Sequence, residues 1–204
     1  SSIKTFSIDK KVLKTLTDEE KKVVKVLQEA VRDLALVYET QKSDGFYPKD
    51  VTKAQLEEAS KKDPQILSPF TQVYKEGSKL KTVYFHEKYQ DLLIPISQKI
   101  TKAAKISSNS SFKKYLIARA KSLLDGSYRK ADIAWLQVRH SLVDFSIGPF
   151  ERYLDEMFFT KRAYQAHVGI IDSEVTQTAD KIKETLNIPD LLKRSVSGET
   201  KNIQ

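Results

Sequence analysis

The sequence predicts a mainly α fold of the α+β type, a helical domain with one β-hairpin and a few further strands. Three features predict it. Apolar residues recur at helical spacing through most of residues 1–140, as in Val23, Leu27, Val31, Leu34 and Tyr38. Two runs rich in Val, Thr, Tyr and Phe, Phe70–Tyr74 and Leu80–Phe85, flank a Lys75-Glu76-Gly77-Ser78 turn. Leu142–Ile147 has the alternation of a strand, with Tyr164–Ile171 as its partner.

Each element follows from local signals. Thr17 before Asp18, Glu19 and Glu20 is an N-cap with acids at the positive end of the helix dipole. The helix it opens runs to about Gln41, where Ser43-Asp44-Gly45 breaks it. A weaker helix covers Thr52 to about Lys62 and closes at Asp63-Pro64, because the residue before proline is driven out of the α region. Tyr89, Leu93, Ile96 and Ile100 mark a helix over Glu87–Lys105, which Pro95 either kinks or starts. Beyond the polar break Ser107–Ser111, the residues Phe112, Leu116, Ala120 and Leu123 form a helix ended by Gly126, a natural left-handed residue. Ala131–His140 is a short helix carrying Trp135, Gly148-Pro149 ends the strand that follows, and Ser173 opens a last helix to about Leu186. The chain divides into a helical region with its hairpin over 1–140, a strand-turn-helix segment over 141–192, and a frayed tail over 193–204.

Composition narrows the function classes. With 204 residues, 40% of them hydrophobic and 30% charged, the chain can bury a real core. No cysteine is present, which excludes disulfides and thiolate chemistry. The net charge of +8 raises nucleic-acid binding, but bases and acids interleave, as in Asp18-Glu19-Glu20-Lys21-Lys22, which is the pattern of solvated helix faces. No nucleic-acid partner is therefore expected. No membrane partner is expected either, since runs such as Leu92–Ile96 fall far short of the roughly 20 apolar residues that cross a bilayer. Ser1-Ser2-Ile3 shows neither an initiating methionine nor an apolar signal core, so any leader is expected to be absent or removed, with the cytoplasm the favoured compartment.

The residues of chemistry are sparse. His86, His140 and His167 match no local metal-binding spacing, and each reads as a surface or half-buried side chain. His86-Glu87 imitates the opening of a zinc peptidase motif, yet Gln90 and Asp91 stand where its second histidine would fall. Six scattered glycines build neither a nucleophile elbow nor a phosphate loop, and the glutamate-rich signature of Nudix hydrolases is missing. The suggestive constellation is Glu151, Tyr153 and Asp155, directly after Gly148-Pro149. A carboxylate there can hold an ammonium, and a phenol can donate to a carbonyl. A competing reading makes Pro149 the first helical residue, with Glu151 and Asp155 complementing the dipole and Tyr153 packing on Phe150 and Met157. Trp135, with Ile133 and Leu136, reads as core packing.

Residues 143–172, VDFSIGPFERYLDEMFFTKRAYQAHVGIID, resemble the stretch of the dipeptidyl peptidase III family where Ile-Gly-Pro-x-Glu-x-Tyr-x-Asp precedes a Lys-Ala-Ala-Phe-like run. SPFTQVYKEGSKL over 68–80 and ADIAW over 131–135 are similar to its bacterial and plant-type members, in the expected order. Phe159-Thr160-Lys161-Arg162-Ala163-Tyr164 departs from the usual Gly-Tyr-Lys-Ala-Ala-Phe.

The resemblance implies the substrate-side part of a two-lobed zinc peptidase that removes dipeptides from short peptides. It implies that Glu151 holds the peptide's amino group and that Tyr153 hydrogen-bonds near the scissile carbonyl. The family's zinc motif lies beyond the matched region, and nothing after Asp172 supplies it. Hydrolysis needs an electrophilic metal to polarise the carbonyl and activate water. The chain alone is therefore expected to carry no catalytic or metal-ligating residue and to need no cofactor, zinc belonging to the full-length enzyme. Its expected partners are short peptides and the zinc-bearing lobe. The rival expectation is a standalone, non-catalytic protein- or peptide-interaction module.

Overall fold

The structure, a computed structural model, describes residues 10–185, so the 193–204 tail and the end of the last helix lie outside the described residues. After a single turn, α1 (Lys10–Leu13), comes the long helix α2 (Asp18–Asp44). Its start is the one written in the sequence. Thr17 Oγ1 accepts from Glu20 N at 3.1 Å and Thr17 N donates to Glu20 Oε2 at 2.7 Å, a reciprocal cap of about 1 kcal/mol. Val23, Leu27, Leu34 and Val37 are buried along one face, with Val31 and Tyr38 partly covered beside them.

Next follow α3 (Lys53–Ser60), a 3-10 turn at Pro64–Leu67, and the hairpin of β1 (Thr71–Glu76) and β2 (Lys79–Tyr84). Thr71 pairs with Tyr84 and Glu76 with Lys79, so the turn tightens to Gly77 and Ser78. Gly77 has φ 61°, which the handedness of a two-residue hairpin requires. Helices α4 (Phe85–Lys88), α5 (Gln90–Ile106), α6 (Ser110–Asp125) and α7 (Tyr128–Leu136) come next. Pro95 neither starts nor stops α5; it sits exposed within the helix. Gly126 ends α6 in the left-handed region, as expected. By contrast, α7 begins before Ala131 and stops before His140.

β3 (Val143–Glu151) and β4 (Ala163–Ile170) form a second antiparallel ribbon, with α8 (Ser173–Thr185) after it. Here the sequence expectation needs correction. The strand runs through Gly148-Pro149 to Glu151, with Pro149 opposite Tyr164. Both strands of a two-stranded ribbon are edges, where the missing N–H of proline can face away from the partner. Gly148 has φ 154°, and a Cβ there would lie 2.6 Å from the Phe150 ring, so the position needs glycine. The competing reading of Pro149 as a helix start fails, because no helix follows it before Ser173.

The main core unites the two halves of the sequence. Leu27 of α2, Leu93, Ile96 and Ile100 of α5, Tyr115 and Leu116 of α6, Phe145 and Ile147 of β3 and Tyr164 of β4 are buried together. Each such side chain contributes roughly 1.5–3 kcal/mol. A smaller core of Val51, Leu56, Ile66 and Val73 lies under the hairpin. Among the described residues no helix is long and apolar enough to cross a membrane.

Candidate functional site

The segment between β3 and β4 folds around one carboxylate. Asp155, 1% exposed, accepts from the backbone N–H groups of Met157 and Phe158 at 3.1 Å through Oδ1. Its Oδ2 accepts from Thr160 N at 3.0 Å, Lys161 N at 2.9 Å and the Tyr47 hydroxyl at 3.0 Å. Burial opposes its charge, but the N–H groups of Lys161, Phe158 and Thr160 outweigh it and hold the carboxyl below the usual aspartate range. Burial, then the facing Asp155, push the Tyr47 phenol upward.

Lys161 fixes the same loop to a remote segment. Its buried ammonium donates to Ile66 O at 2.7 Å, Ser68 O at 2.8 Å and Thr71 Oγ1 at 2.9 Å, and lies 5.5 Å from the Tyr47 ring centre. Burial pushes this ammonium down to about 7, against the pull of Asp155 and Asp63. The buried Gln41 of α2 completes the anchoring, donating to Arg162 O at 3.0 Å and accepting from Tyr164 N at 2.9 Å. Arg162 N donates to Pro69 O at 2.9 Å.

On this braced loop lie the residues singled out by sequence. Glu151 ends β3, and its Oε1 accepts from Tyr153 N. Its Oε2 has no hydrogen-bond partner and no contact with solvent. Tyr153 is 88% exposed, so it packs on neither Phe150 nor Met157 as the competing reading required. The arrangement brings Glu151 and Tyr153 together at the ribbon's end and assigns Asp155 to the loop's interior. The Arg119 guanidinium lies over the Phe150 ring, 5.2 Å from its centre. Arg119 is buried, and its Nη2 donates to Asp132 Oδ1 at 2.6 Å. An open groove of about 300 Å³, lined by Gln41, Tyr47, Leu154 and Met157 among others, runs between the loop and the end of α2.

The histidines do not converge on this loop. His86 is half-buried on α4, His140 is exposed after α7, and His167 is exposed on β4. Among the described residues no group of three or more His, Cys, Asp or Glu side chains could hold a metal ion. These residues do not fit the zinc that the resemblance attaches to the family. Trp135 is not core: it is 40% exposed, and its Nε1 donates to Asp144 Oδ1 at 3.2 Å. Sequence reasoning missed Lys161, Gln41 and Arg119, whose polar groups are usually found outside. The one local hint was the Asp155-to-Lys161 spacing of a tight loop.

This fold is similar to part of solved dipeptidyl peptidase III structures. The structure of DPP III from Caldithrix abyssi matches 86% of this chain with a TM-score of 0.75 at 23% identity, over 43% of its own length. That of dipeptidyl-peptidase III from Corallococcus sp. strain EGB matches 68% of this chain with a TM-score of 0.62 at 32% identity, over 27% of its length. Among curated proteins, Nudix hydrolase 3 of Arabidopsis thaliana is 35% identical over 100 residues, which is 49% of this chain and 13% of that protein. The matched chain itself contains no Nudix glutamate signature. The model of peptidase family M49 matches residues 12–191, and the chain belongs to that family. It spans less than half the length of each of these relatives.

Proposed function

We propose that this chain is the substrate-binding portion of a dipeptidyl peptidase III-like zinc peptidase, gripping short peptides without hydrolysing them on its own. The observation that carries the reading is the juxtaposition at the ribbon's end. An exposed Tyr153 stands two residues from the Glu151 carboxylate, on a loop braced by Asp155 and Lys161. Glu151, half-buried at the end of β3, is the carboxylate that accepts from the ammonium of a peptide N-terminus. The Tyr153 phenol, open to solvent, donates to a peptide carbonyl. Zinc and the remaining chemistry belong to the other lobe, which is the chain's second partner.

Calorimetric titration with tetraalanine tests this. Glu151→Gln weakens binding about tenfold or more, the loss of a charge-assisted contact, and Tyr153→Phe weakens it a few-fold. N-terminal acetylation of the peptide reproduces the Glu151→Gln loss, because it removes the same charge. Equal binding of acetylated and free peptides refutes the assignment of Glu151. Capture of a protein partner with no peptide binding at all favours the interaction module instead.

A further inference from the structure

We propose that Phe159 is a specificity-determining residue of this site and selects peptides that carry an apolar or aromatic side chain; the inference rests on the peptide-binding reading of Glu151 and Tyr153. The loop treats two adjacent phenylalanines in opposite ways. Phe158 packs against the smaller core and meets the Tyr47 ring at 5.8 Å between centroids. Phe159 is 68% exposed and has φ 56°, a backbone conformation that bulky residues avoid.

That backbone is held from both sides. Phe159 N donates to Asp155 O at 3.1 Å, and the next residue's N–H, that of Thr160, donates to Asp155 Oδ2 at 3.0 Å. The ring is therefore turned outward by a hydrogen-bonded backbone. Folding gains little from a ring left in solvent, and an unfavourable conformation retained without packing return points to a role outside the fold. The same loop exposes Tyr153, so two uncovered rings follow Glu151 within one short segment of chain. A peptide with its ammonium at Glu151 has side chains that the rings can sort by apolar surface.

The test compares tetraalanine with tetrapeptides in which one alanine at a time is replaced by phenylalanine, titrated against the wild-type chain, Phe159→Gly and Phe159→Ala. The wild-type chain prefers at least one phenylalanine peptide by roughly threefold to tenfold, the scale of a single aromatic contact. Both variants remove the ring, while only one relieves the backbone, and both bring the preference to within about twofold. A preference that survives in both variants, or a wild-type chain that binds all the peptides alike, overturns the role of Phe159 and leaves Glu151 standing. A wild-type chain that binds no peptide overturns both.

Discussion

Exchanging Phe159 for glycine and for alanine should invert the usual order of stability between those two residues. Either exchange deletes the same ring, so whatever the ring contributes cancels in the comparison. What remains is the backbone at φ 56°. An L-residue with a Cβ in the left-handed region costs about 1–2 kcal/mol. Glycine escapes that cost but loses about 0.5–1 kcal/mol more conformational entropy on folding. The difference favours Phe159→Gly over Phe159→Ala by about 0.7 kcal/mol at mid-range, and by at most about 1.5. For a chain of this size, 1 kcal/mol moves the melting point by roughly 2–4 °C. Calorimetric melting or urea titration of the two variants side by side reads this directly. At an ordinary position alanine is the more stable of the pair, so a Phe159→Ala variant melting at or above Phe159→Gly refutes the strained-backbone account.

Other consequences follow from the anchors of the loop. Lys161→Met deprives Ile66 O, Ser68 O and Thr71 Oγ1 of their shared donor and should cost about 2–4 kcal/mol, measured by the urea midpoint. Gln41→Leu strands both Arg162 O and Tyr164 N in the interior, with an expected loss of similar size, and α2 should stay helical by circular dichroism. Asp155 has a folded-state pKa below its unfolded value of 3.8, so its contribution is full above that value and is lost as the pH falls through the lower folded one. The acid limb of the wild-type stability curve should therefore be steeper than that of Asp155→Asn, in a pH series of denaturant titrations taken downward from about pH 5.

The helices were legible wherever their ends are spelled by side chains. Thr17 with Glu20 opens a helix and Gly126 closes one, each through contacts within one turn, so local pattern suffices. The hairpin was legible because Gly77 has one conformational use there. Pro149 was misread because its meaning depends on whether a third strand lies alongside, which is a property of the sheet and not of the dipeptide. Trp135 was misread because the apolar spacing of α7 does not say how far the helix is covered. Glu151 and Tyr153 stood out by position after Gly148-Pro149, and in the structure the Tyr153 backbone N–H donates to the Glu151 carboxylate. Lys161 could not be assigned, since its partners lie at Ile66–Thr71, joined to it only after the chain has closed on itself, and the Tyr47 hydroxyl on Asp155 is equally remote.

The carboxylate of Asp155 reaches N–H groups at 157, 158, 160 and 161, while Lys161 reaches back to 66–71. Distance along the backbone is thereby locked at both ends of the span. Insertion or deletion of even one amino acid between 155 and 161 would pull at least one of these groups off its target. The hairpin tip at Gly77 has no such tether, and a Cβ there would meet open space. Length drift among descendants of this gene should accumulate at the tip and be purged from the loop, which makes the tip the natural place to graft a reporter.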